Sequence, residues 1–158
     1  MIYTVQQVMR TALWAITPQA SLDEALALMR EQAVRRLPVL DDDGELIGIL
    51  SRGDVREALS IERAQLPSPY APEANEKWLS VGEAMTPDPL VVTPQDSLTD
   101  AVELMLARKI GGLPVVEATQ GSGRRHLVGI VTDSDILRLM LRLWRAEESE
   151  KTVIQSLN

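Results

Sequence analysis

TPQASLDEALALM, residues 17–29, returns as TPQDSLTDAVELM, residues 93–105, and the rest of the chain can be read outward from this stretch. Thr17-Pro18 and Thr93-Pro94 close a short extended segment, because a residue before proline is pushed out of the helical region. Ser21 and Ser97 then stand as helix N-caps, with an acidic residue three positions on at Glu24 and Asp100. Leu22, Ala25, Leu26 and Met29 keep the i, i+3, i+4, i+7 spacing of a buried helix face, and Leu98, Ala101, Val102 and Met105 repeat it.

Upstream, Val5 and Met9 recur as Val81 and Met85; downstream, Leu37-Pro38-Val39 recurs as Leu113-Pro114-Val115. All share an offset of 76, with 13 identities between positions 5 and 39. After a loop the match resumes at an offset of 81, with Leu46, Gly48, Ile49 and Asp54 against Leu127, Gly129, Ile130 and Asp135. Asp41-Asp42-Asp43-Gly44 carries the Asp-Gly hairpin signal and reads as a solvated tip rather than a metal site. Helices are expected from Ser51 and Thr132, so each copy has the order β-α-β-β-α. The boundaries are a first repeat over 1–60, a connection over 61–80 containing Pro67, Pro69 and Pro72, a second repeat over 81–146, and a polar tail over 147–158. Two such units in tandem bury their apolar faces together, and the seam between them is the expected ligand site.

Composition narrows the chemistry. A net charge of −7 argues against a nucleic-acid partner. The absence of cysteine removes disulfides, thiolate zinc sites and thiol nucleophiles. The one histidine, His126, lies in the five-residue expansion and reads as an exposed loop residue. No apolar run is long enough for membrane insertion and no signal peptide is recognised, so a cytoplasmic location is expected. Ile136, Leu137, Leu139, Met140, Leu141, Leu143 and Trp144 form a helix apolar around much of its circumference, with Arg138, Arg142 and Arg145 on the wet side. That helix predicts a homodimer contact.

The chemistry-bearing positions are Gly48-Ile49-Leu50-Ser51-Arg52-Gly53-Asp54 and Gly129-Ile130-Val131-Thr132-Asp133-Ser134-Asp135. Taken alone, Ser-x-x-Asp and Thr-x-x-Asp are sufficiently explained as helix caps. The functional alternative is a helix start that receives an anion while the carboxylate accepts both hydroxyls of a ribose, the glycine letting backbone approach closely.

With the duplication and the Leu-Pro-Val strands, these ends resemble the cystathionine-β-synthase (CBS) domain, two of which form a Bateman module. The resemblance covers nearly the whole chain and implies an α/β fold of two pseudo-twofold-related β-α-β-β-α CBS repeats. It further implies two clefts, each drawing its ribose aspartate and hydroxyl from one copy and its adenine-facing residues from the other. One cleft would use Ile130, Thr132 and Asp135 with Thr17, Val34, Arg35 and Arg36. The other would use Ile49, Ser51 and Asp54 with Thr93, Ile110 and Gly111. Because Arg35-Arg36 faces Gly111-Gly112 in the repeat alignment, the Asp135 cleft is expected to hold phosphate more strongly. Arg52 or Lys109 would partly compensate in the other, and Asp133 would either repel phosphate or hold magnesium with ATP.

The resemblance thus implies a regulatory module that binds AMP, ADP or ATP, with S-adenosylmethionine and NAD ranked behind them, and signals to a separate, unidentified protein. It needs no cofactor and no catalytic residue. The alternatives are a structural dimerisation module with empty clefts and a nucleotide-processing enzyme. The enzyme lacks a spare general base and a P-loop lysine.

Overall fold

The computed structural model describes residues 3–64, 79–118 and 125–156; the proline cluster of the connection lies outside them. In chain order the elements are a 3-10 turn at Val5–Gln7, then α1 (Leu22–Glu31), β1 (Arg36–Leu40), β2 (Leu46–Ser51) and α2 (Arg52–Ala64). They continue with α3 (Val81–Ala84), β3 (Thr86–Pro87), α4 (Leu98–Arg108), β4 (Gly112–Ala118), β5 (Arg125–Thr132) and α5 (Asp133–Ser156). The expected first strand of each repeat is reduced to one parallel bridge, Ile16 with Val39 and Val92 with Val115.

The helix starts follow the sequence closely. Ser21 Oγ accepts from the Glu24 N–H at 3.1 Å, while the Ser21 N–H donates to Glu24 Oε2 at 2.7 Å. That backbone bond first, and the Ser21 hydroxyl second, hold the Glu24 carboxyl below its ordinary pKa. Ser97 caps α4 by accepting from the Thr99 and Asp100 N–H groups. The Asp41–Gly44 turn is closed by Asp41 Oδ1, which accepts from the N–H groups of Asp43 and Glu45, and Gly44 takes a φ of +77° there. Asp41 is therefore a turn cap. α5 continues through the polar stretch after Glu147 to Ser156, a segment with no glycine or proline to end it.

Two compact units result, and neither coincides with a sequence repeat. One, the Asp54 unit, comprises Ala12–Leu90 with Glu117–Leu127; the other, the Asp135 unit, comprises Met1–Thr11, Val91–Val116 and Val128–Asn158. Each repeat thus gives its first segment to the unit that holds the other repeat's strands. In the Asp54 unit the sheet order is β1-β2-β3, all antiparallel, with Gly48 opposite Pro87 and Ile49 opposite Thr86. In the Asp135 unit β4 pairs with β5, and Arg10 takes the place of Thr86 by bridging Ile130, N–H to carbonyl both ways at 2.9 and 3.0 Å.

Burial holds these segments in place. Val81, fully buried, joins Leu22, Ala25, Met29, Leu37, Val39, Leu50 and Val55 in one core. Val5, also fully buried, joins Leu98, Ala101, Met105, Leu113, Val115 and Val131 in the other. Each of these valines contributes about 1.5–3 kcal/mol to docking its segment.

The glycines belong to the same arrangement. A Cβ on Gly48 would stand 2.3 Å from Met85 Sδ; on Gly129 it would stand 2.6 Å from Met9 Sδ and 3.2 Å from the Arg10 carbonyl oxygen. Each glycine thus permits the close approach of the exchanged segment.

Candidate functional site

Each unit carries one Ser/Thr-x-x-Asp end, at the point where the second strand of its hairpin stops and a helix starts. In the Asp54 unit the Ser51 N–H donates to Asp54 Oδ2 at 2.7 Å and the Asp54 N–H donates to Ser51 Oγ at 3.1 Å. This reciprocal pair is the capping arrangement expected from sequence. Among the described residues Asp54 Oδ1 has no hydrogen-bond or ion-pair partner. Both Ser51 and Asp54 are half-buried, so that oxygen and the serine hydroxyl proton remain available to an incoming diol.

The Asp135 end uses the same residues differently. Thr132 donates twice to Asp135 Oδ2, from its N–H at 3.0 Å and from Oγ1 at 2.5 Å. The other carboxylate oxygen, Oδ1, lies 2.9 Å from Arg138 Nη1 and 3.2 Å from Arg10 Nε. Asp135 is buried, at 5% side-chain exposure, whereas Arg10 and Arg138 keep 41% and 61% of theirs. Arg10 Nε is itself buried and points at the carboxylate without hydrogen-bond alignment. Nearby, Asp133 Oδ1 accepts from the Ser134 N–H at 2.7 Å and from its hydroxyl.

The residues before β1 and β4 stand beside the helix start of their own repeat. The Arg52 N–H donates to the Arg35 carbonyl at 2.9 Å, and Arg36 is opposite Ser51 in the ladder. The Asp133 N–H donates to the Gly111 carbonyl at 3.1 Å. The structure therefore gathers Val34, Arg35 and Arg36 with Ile49, Ser51 and Asp54, and gathers Ile110 and Gly111 with Ile130, Thr132 and Asp135. The β1-β2 hairpin register fixes the start of its first strand against the end of its second. Thr17 and Thr93 lie in exposed turns, where the Thr17 carbonyl accepts from the Ala20 N–H and the Thr93 N–H donates to Asp96 Oδ2.

Sequence reading missed Arg10 and Arg138. The signal was present in the alignment of the repeats, where they face Thr86 and Glu57. Among the described residues no group of three or more acidic or histidine side chains is placed to hold a metal ion, and no helix is long and apolar enough to cross a membrane.

A family model described as "CBS domain" matches residues 5–61 and again 81–142. The chain belongs to the CBS-domain family. It is a tandem CBS pair with the mixed α/β fold of that family. CBS domain-containing protein CBSX2, chloroplastic, of Arabidopsis thaliana is 35% identical over 93% of this chain and 67% of its own length. A CBS domain-containing protein of Dictyostelium discoideum is 34% identical over 88% of this chain and 92% of its own. The crystal structure of CBSX2 in complex with AMP superposes with a TM-score of 0.70 at 35% identity, covering 89% of this CBS pair and 98% of that chain. The CBS domain pair of protein MJ0100, solved with 5′-methylthioadenosine and S-adenosyl-L-methionine, gives 0.71 at 25% identity, covering 89% and 97%.

Proposed function

We propose that this CBS pair is a non-enzymatic, cytoplasmic regulatory module that binds adenosine-containing ligands, AMP, ADP and ATP foremost, and passes their occupancy to a separate protein. The observation that carries this reading is the Asp54 end. It offers a carboxylate oxygen and a hydroxyl to a ribose, and Arg36 at the start of the neighbouring strand, with Arg35 just before it, is the candidate for phosphate. AMP in the CBSX2 crystal, at 35% identity, supports the same ligand class. Arg36 stands opposite Ser51 within the Asp54 unit, which supports phosphate chemistry at that end; the resemblance implies it for the Asp135 cleft.

A thermal-shift panel of AMP, ADP, ATP, NAD and S-adenosylmethionine, with and without magnesium, tests the reading. A ligand at 100 times its dissociation constant raises stability by about 2.7 kcal/mol. The shift with AMP is expected to shrink in Asp54→Ala, which leaves only the Asp135 end, while the variant stays folded. No shift with any of the five compounds supports a purely structural module instead.

The same reading includes a homodimer through α5. Leu137, Met140, Leu141 and Trp144 form an exposed stripe at helical spacing, from 36% to 58% exposed. Arg138, Arg142 and Arg145 precede Glu147 and Glu148, so an antiparallel second α5 would set basic against acidic halves. Light scattering of Leu141→Glu should report a monomer where the parent chain is a dimer.

A further inference from the structure

We propose that Arg10 is an internal plug at the Asp135 end: its guanidinium occupies the carboxylate oxygen that a ribose would use, so that the two CBS ends are unequal in ligand access. This deepens the adenosine-binding reading and rests on it. Four observations carry the proposal. Both oxygens of Asp135 are engaged within the Asp135 unit, Oδ2 by Thr132 and Oδ1 by Arg10 and Arg138, whereas Asp54 keeps Oδ1 open. Arg10 cannot drift away, because its backbone is bridged to Ile130 in both directions. Its hold on Asp135 is nonetheless displaceable, since Nε approaches to 3.2 Å without hydrogen-bond alignment and much of the side chain faces water. Finally, the equivalent position is Thr86, paired with Ile49 as Arg10 is paired with Ile130, and the counterpart of Arg138 is Glu57.

The chemistry at that end follows. A ribose diol must displace a guanidinium from Oδ1 before it can donate to Asp135, and a neutral hydroxyl is a weaker partner for a buried carboxylate than a cation. A ligand with phosphates can offer the displaced Arg10 a new anion, whereas adenosine cannot. The plug therefore penalises adenosine more than AMP.

Replacing Arg10 by the residue of the other repeat gives the test, with calorimetric titration of adenosine and AMP. In an Asp54→Ala background, which leaves the Asp135 end alone, Arg10→Thr should strengthen adenosine binding about tenfold, equivalent to about 1.4 kcal/mol, and AMP binding by less. In the parent chain, Thr86→Arg should weaken adenosine binding at the Asp54 end by a similar factor. The thermal midpoint of each variant, and Arg138→Ala as a second release, guard against a folding artefact. Adenosine binding that is unchanged or weakened by Arg10→Thr, while AMP still binds the parent at Asp54, overturns the plug alone. A double-mutant cycle on unfolding between Arg10 and Asp135 needs no ligand. A coupling there, with no binding of AMP or adenosine to any variant, overturns the ligand reading and with it the plug.

Discussion

Ser51–Asp54 and Thr132–Asp135 are the same device in two electrostatic settings. In both, a hydroxyl residue ends a strand and an aspartate three positions on accepts its backbone N–H. Around the first, positions equivalent to Arg10 and Arg138 hold Thr86 and Glu57, and the aspartate retains an unclaimed oxygen. Around the second, two guanidinium groups claim that oxygen and the aspartate is buried beneath them. A motif thus specifies a local turn, while its availability to a ligand is set by residues far away in sequence, here 125 positions from Arg10 to Asp135.

The contrast is broken or sharpened by three sets of substitutions. The largest expected effect is at the aspartates. Breaking a buried ion pair from one side costs about 3–5 kcal/mol, and an exposed one at most about 1 kcal/mol. Asp135 is buried but its partners are largely exposed, so Asp135→Ala should cost about 2–3 kcal/mol in urea denaturation and Asp54→Ala about 1 kcal/mol or less. Equal losses would erase the distinction between the ends. Next come the glycines, where overpacking costs about 1–3 kcal/mol. Gly129→Ala presses on the Arg10 backbone as well as on Met9, so it should lie near the top of that range and weaken the Arg10–Asp135 pair. Gly48→Ala meets only the Met85 side chain, which can turn aside, and should lie near the bottom. The smallest effect separates the helix caps. The folded-state pKa of Glu24 lies below its ordinary 4.5. Its contribution is therefore present above that value and fades as pH falls through the folded-state pKa. Glu24→Gln should flatten stability against pH in that acid window, while the Ser97 cap of α4 closes no such box.

Much of this was legible in the chain itself because it is local or periodic. The Leu22, Ala25, Met29 spacing names a buried face, and Ser21 with Glu24 names a helix start, without reference to the rest of the molecule. Duplication then doubles each such reading. What stayed hidden is the choice of partner for a short segment. Nothing in Val5 to Arg10 says which sheet it joins, since either repeat presents a glycine-containing strand at the matching place. The exchange in turn determines that Arg10 meets Asp135, so the missed site residue and the missed topology have one cause. The hairpin register was available from the short β1-β2 turn, and it places Arg36 opposite Ser51.

The traded first segments also bear on how the protein is made. Arg10 bridges Ile130, 120 positions later, so one of the earliest stretches to leave the ribosome is among the last to find its seat. Until Gly129 emerges, Met9 has no groove to fill; until Val81 emerges, the Leu22, Leu37 and Leu50 core stays uncapped. Synthesis must run into α5, whose Leu139 belongs to the Asp135 core, before that core can close, which ties folding to long-range pairing and makes it slow relative to a chain of the same size built from local contacts. A chain cut between the repeats would leave both halves with an open seat, so the smallest inheritable piece of this molecule is the pair.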